Sequence, residues 1–158
     1  MSVFFRAITY AILFIGVVLI YVPARLLSWS GIVQPLAIGI QHIVGIMIGT
    51  AGAVIALWCI FTVASIGRGT PAPFDPPRRL VIQGPYRFVR NPMYIGAGLA
   101  LTGAALFHAS LPLLGYAGIF FLIAHLFVIS YEEPTLRRTF GQEYEDYCGQ
   151  IRRWWPSL

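Results

Sequence analysis

Two short stretches of this sequence carry the residue types that do chemistry. One runs Gly84-Pro85-Tyr86-Arg87-Phe88-Val89-Arg90-Asn91-Pro92-Met93-Tyr94-Ile95-Gly96, the other Glu132-Glu133-Pro134. Together they offer guanidinium groups, two adjacent carboxylates and phenol rings. A carboxylate binds an ammonium group or a ribose diol. An Arg grips a carboxylate with two parallel hydrogen bonds, and a Tyr face attracts a sulfonium or quaternary ammonium. A site holding all three suits a small zwitterionic or cationic ligand. The histidines His42, His108 and His125 have no metal-ligand spacing, and Cys59 and Cys148 suggest neither a zinc site nor a disulfide framework, so no metal is expected.

For the two stretches to meet, the chain between them must fold back. Four apolar runs stand out, at residues 7–22, 43–66, 93–108 and 112–129. Roughly 20 apolar residues cross the hydrocarbon core of a bilayer. The pattern therefore predicts an all-α integral membrane bundle of four transmembrane helices, the last two slightly short. The first run ends before Pro23 and reads as a membrane helix rather than a cleaved leader, because Tyr21 to Arg25 offers a poor cleavage site. Residues 23–42, with Trp29 and Pro35, read as a loop with an interfacial helix. Gly45, Gly49 and Gly52 are spaced for close helix packing. Only the break from His108 to Pro112 separates the third and fourth runs. Antiparallel packing across it brings Arg90 and Tyr94 beside Glu132 and Glu133.

Two further segments frame that meeting point. Residues 67–92 are rich in Pro and Gly and cannot form a regular helix. Their prolines alternate with Phe74, Leu80, Val81, Ile82 and Phe88, which predicts an ordered loop on the membrane surface rather than a flexible linker. In the tail, 132–155, Pro134 suits a first helical turn. Leu136, Phe140, Tyr144, Tyr147 and Ile151 recur at spacings of three and four, predicting one amphipathic helix before the interfacial pair Trp154 and Trp155.

Composition fixes the setting. Hydrophobic residues make up 58% of the chain and charged residues 11%, well below the roughly 25% of a soluble domain. The net charge of +5 comes with eleven basic residues, all Arg. They are not grouped on a soluble helix, so anionic lipid rather than nucleic acid is the expected partner. With four crossings, one side holds Arg6, Arg68, Arg78, Arg79, Arg87, Arg90, Arg137, Arg138, Arg152 and Arg153, and the other only Arg25. Ten against one puts both termini and the 67–92 loop in the cytoplasm. All six acidic residues fall on that side, so polar chemistry is expected there.

S-adenosylmethionine is one ligand that combines a carboxylate, an ammonium, a ribose and a sulfonium. From about residue 67 to 156 the chain also resembles a known family. The matching residues are Gly84-Pro85-Tyr86-Arg87 and Val89-Arg90-Asn91-Pro92-Met93-Tyr94-Ile95-Gly96. Glu132-Glu133, Leu136, Phe140-Gly141, Tyr144 and Tyr147 follow in order. The family is that of the membrane methyltransferases, including isoprenylcysteine carboxyl methyltransferase and the phospholipid N-methyltransferases. Its Arg-His-Pro element is here Arg90-Asn91-Pro92, and Asn cannot carry a proton. Its Val-Pro-Arg-like element is loose here, Ile151 to Pro156.

Length predicts one membrane domain over 1–158, with N-terminal helices in 1–66, and the resemblance implies a methyltransferase-like half in 67–158. It implies cofactor binding by Gly84, Tyr86, Arg87, Asn91, Pro92, Tyr94, Glu132 and Glu133, with Arg90 and Glu133 catalytic. A lipid-like or prenylated acceptor would enter sideways from the bilayer. The overall pattern leans to carboxyl O-methylation of an isoprenylcysteine-like acceptor, with N-methylation of a phospholipid amine as the alternative. A carboxylate arrives ionised and needs orienting by Arg87 or Arg90. An amine must first lose a proton, to Glu132 or Glu133.

Each residue also has a plainer reading. Arg87 and Arg90 suit headgroup anchoring. Glu132 and Glu133 suit a helix N-terminus, though two adjacent carboxylates repel. Tyr94 suits an aromatic belt, and Tyr144 and Tyr147 read as core stripe. Asp75 reads as a turn residue. His125, inside the fourth run, is a functional candidate by position or a neutral partner of another helix. A non-catalytic membrane protein or transporter component is the reading from another class. A transporter places ionisable groups near the midplane, and here only His125 qualifies.

Overall fold

The computed structural model describes residues 9, 12–31, 38–67 and 79–157. They form helices α1 (Ile12–Trp29), α2 (Ile40–Gly67), α3 (Pro92–Phe107), α4 (Leu111–Phe140) and α5 (Gln142–Gln150), with a short 3-10 turn at Gly84–Arg87. No strand occurs among the described residues. Residues 68–78, including Asp75, lie outside the description, so most of the expected surface loop does too, and the chain is followed again from residue 79. The start of the first apolar run and Pro35 lie outside it too.

Three helices, α1, α2 and α4, are long and apolar enough to cross a membrane. The third apolar run forms a helix of 16 residues, about 24 Å long at 1.5 Å per residue, short of a hydrocarbon core of roughly 30 Å. It packs against α2 with backbones in contact. A Cβ on Gly52 would stand 2.5 Å from the Ala100 nitrogen, and one on Gly45 would stand 2.7 Å from the Gly103 carbonyl oxygen. Small residues permit this approach where lipid offers no hydrophobic drive between helices. The α3–α4 turn is tight because Ala109 takes φ 47° and the Ser110 hydroxyl caps α4, accepting from Leu113 N at 3.3 Å.

Two prolines expected to mark helix ends lie inside helices. α1 continues past Pro23 to Trp29, and α4 runs through Pro134 to Phe140. Proline clashes with the carbonyl four residues back and donates no hydrogen bond. In both places a π-helical turn widens the ladder immediately before the ring, with Val22 N donating to Val17 O and Glu133 N to Val128 O. The tail is accordingly not one helix from 132. Its first part belongs to α4, and Gly141, at φ 54°, breaks the chain before α5. Gly supplies that left-handed φ without the Cβ clash.

Candidate functional site at one end of the bundle

The start of α3, the second half of α4, α5 and the last residues converge at one end. Pro92 sits in the first turn of α3, where its missing N–H leaves no bond unmade. The turn at Gly84–Arg87 leads into it. Gly84, at φ 60°, lies against α2, where a Cβ would meet Thr62 Oγ1 at 3.2 Å. The C-terminal segment then returns over this loop. Arg90 N donates to Arg152 O at 3.0 Å, Ser157 N to Phe88 O at 2.8 Å, and Asn91 Nδ2 to Arg153 O at 3.2 Å.

The adjacent carboxylates enter two different surroundings. Glu133 is buried and bridged by two guanidiniums. Arg153 grips it bidentately, Nε to Oε1 at 2.6 Å and the second nitrogen to Oε2 at 2.9 Å, and Arg90 reaches Oε1 at 3.3 Å. Arg90 also donates to Cys148 Sγ at 2.7 Å, and Tyr144 bonds the same thiol. Glu132 instead accepts from the Tyr94 hydroxyl at 3.0 Å. No ion pair reaches it among the described residues. The Tyr86 phenol lies on this side, bonded to the buried Cys59 thiol, and its carbonyl accepts from Tyr147 at 2.6 Å.

Charge and burial set the protonation states. The hydrogen bond to Glu133 holds the Arg153 guanidinium above its usual range. Burial pushes the phenols of Tyr86, Tyr144 and Tyr147 above the ordinary tyrosine value. They serve as neutral donors. Arg90 Nε is buried with no hydrogen-bond partner among the described residues, a donor that a bound anion would satisfy.

Of the residues singled out in the sequence, Arg90, Asn91, Tyr94, Glu132 and Glu133 come together, and Tyr86 borders them. Gly84 and Pro92 shape the backbone around them. Arg87 does not join. It is exposed, with its guanidinium 5.1 Å from the Phe88 ring centroid. Tyr144 and Tyr147 are buried, as their stripe implied, yet both also touch the polar cluster. Arg153 and Cys148 were missed. Arg153 read as one more charge on the Arg-rich side, and Cys148 as an isolated thiol. The loose Val-Pro-Arg-like element was the only hint that the tail returns to the site.

No curated protein and no solved structure matches the chain. The phospholipid methyltransferase family model matches residues 40–143, about two thirds of the sequence. That match starts upstream of the resemblance read from motifs, takes in all of α2, and stops before Arg153. With three helices apolar and long enough to cross a bilayer, the protein is an integral membrane protein. The chain belongs to the phospholipid methyltransferase family, a family of membrane methyltransferases.

Proposed function

We propose that this protein transfers a methyl group from S-adenosylmethionine to the amine of an amphiphilic, lipid-like acceptor, at the cytoplasmic face of the membrane. The carrying observation is the Tyr94–Glu132 pair beside the Arg90–Glu133–Arg153 cluster. The donor set suits the cofactor. Arg90, with its unpartnered Nε, would take the carboxylate. The phenol faces of Tyr86 and Tyr94 would border the sulfonium, with Glu132 beside them to meet the protonated amine of the acceptor. Bound there, S-adenosylmethionine supplies an electrophilic methyl group.

The protein's own work is alignment and exclusion of water. An amine nucleophile must also lose a proton. Glu132 has a hydroxyl partner and no cation among the described residues, so it is the carboxylate able to accept that proton. Glu133, held by two guanidiniums, is better suited to fixing Arg90 than to proton transfer. An anionic acceptor next to Glu132 would meet a like charge, which supports the amine over the isoprenylcysteine-type carboxylate. The carboxylate reading keeps one supporting observation, an exposed guanidinium at Arg87, next in sequence to Tyr86.

The bias of Arg residues supports the cytoplasmic placement of this end and of both termini. The test is calorimetric titration of the detergent-purified protein with S-adenosylmethionine, using S-adenosylhomocysteine as competitor. Labelled methyl transfer into membrane lipids follows. Saturable, displaceable binding with label in an amine headgroup is the expected result. Label in a carboxyl ester would overturn the amine reading, and no binding in lipid nanodiscs would overturn the methyltransferase site itself.

A further inference from the structure

His125 is an ionisable side chain within an apolar helix, and the C-terminal segment supplies its partner. Trp154 Nε1 donates to His125 Nδ1 at 3.0 Å. With Nδ1 accepting, neutral His125 carries its proton on Nε2. The indole also packs on Phe121, with ring centroids 5.0 Å apart. Phe121 in turn lies against α3, where a Cβ on Gly98 would meet its ring at 3.0 Å. Trp154 thus closes the seam between α3 and α4.

The spacing of the attachments matters. His125 precedes Glu133 by eight positions in α4, about 12 Å along the helix axis. Two consecutive residues of the tail therefore hold two separated points on one helix, Arg153 on Glu133 and Trp154 on His125. If Trp154 let go, the segment around Arg153 would keep its bonds to Arg90, Asn91 and Phe88 but would have, among the described residues, no neighbouring side chain fastened to α4. Glu133 would then turn both oxygens to Arg90, which now reaches it with one nitrogen at 3.3 Å.

Resting on the methyl-transfer reading, we propose that His125 and Trp154 are positioning residues. Their hydrogen bond latches the C-terminal strap so that Arg153 neutralises Glu133, leaving Arg90 available to the carboxylate of the methyl donor. His125→Leu removes the acceptor. His125→Asn keeps an oxygen close to where Nδ1 stood. Trp154→Phe keeps an aromatic ring without the donor.

His125→Leu and Trp154→Phe should each raise the donor KM by about three- to tenfold, the worth of one buried hydrogen bond. The acceptor KM and kcat should stay unchanged. The pair together should do no more than either alone, and His125→Asn should restore wild-type affinity. Backbone hydrogen exchange across 151–157, measured on ligand-free protein, should quicken in the Leu variant and not in the Asn variant. Equal donor affinity in the Leu and Asn variants, or exchange unaltered in the Leu variant, would overturn the latch. Wild-type protein that binds no donor while exchange responds as expected would overturn the methyl-transfer reading and, with it, the purpose assigned to the latch, but not the strap contact.

Discussion

Glu132 and Glu133 are neighbours in the chain and opposites in their surroundings. Glu133 faces the returning tail and is held by Arg153 and Arg90. Glu132 faces α3 and the loop before it, where its partner is the Tyr94 hydroxyl. Successive helix positions point about 100° apart, so one residue step changes the element a side chain meets. The widened turn at Val128–Glu132 sets how both are aimed. An ionic knot is expensive to break and poor at moving protons, because the carboxylate is already stabilised as an anion. A carboxylate with a hydroxyl partner can gain or lose a proton without dismantling its surroundings. The adjacent pair therefore divides into a fastener and a reactive group.

The sharpest way to break this comparison is to remove each charge in turn. Glu133→Gln leaves the guanidiniums of Arg90 and Arg153 facing each other, the former with 12% of its side chain exposed. Loss of one partner from a buried pair costs about 3 kcal/mol or more. The variant should therefore show a clearly lowered thermal midpoint in detergent and lose donor binding. Adding Arg90→Met should recover part of the stability and none of the binding, since an apolar replacement relieves the unpaired charge. A Glu133→Gln protein as stable as wild type would remove the fastener role.

Glu132→Gln should behave in the opposite way. The amide oxygen can still accept from Tyr94, so the change in stability should stay within about 1 kcal/mol. Turnover with an amine acceptor should fall about 100-fold, the usual worth of a positioned proton acceptor. Donor affinity would change less than kcat. If kcat were unaffected and only donor KM rose, Glu132 would be a binding group and the proton would leave by another route.

Much of this arrangement was legible in the sequence. The described parts of the four apolar runs appear as helices, three of them long enough to span a bilayer, and the short break after His108 placed Arg90 and Tyr94 beside the paired carboxylates. Two features were hidden for identifiable reasons. Pro23 and Pro134 read as helix boundaries because a proline ring is incompatible with a regular α-helical ladder. That penalty is relieved by a π turn, which leaves no mark in apolar periodicity. Arg153 read as a surface charge because side-chain type does not reveal where an irregular tail leads. Its position depends on backbone bonds to Arg90 and Phe88 and on the Asn91 amide, contacts between segments some 60 residues apart. Asn91 itself gains a role from them. It cannot carry a proton, but it can hold the tail.

The smallest expected effect tests whether Tyr94 belongs to the reactive side of the comparison or only to packing. Tyr94→Phe keeps the ring at the start of α3 and removes the hydroxyl that donates to Glu132. A net hydrogen bond to a charged group is worth roughly 1.5–3 kcal/mol, and water reaching a part-exposed carboxylate replaces some of it. Turnover should therefore fall by about tenfold at most. The informative measurement is the double variant. If the hydroxyl acts through the carboxylate, Tyr94→Phe combined with Glu132→Gln should be no slower than Glu132→Gln alone, because residues acting as a unit are not additive. Fully additive losses would make Tyr94 an independent contact of donor or acceptor. The reactive side would then contain two separate groups rather than one hydrogen-bonded pair.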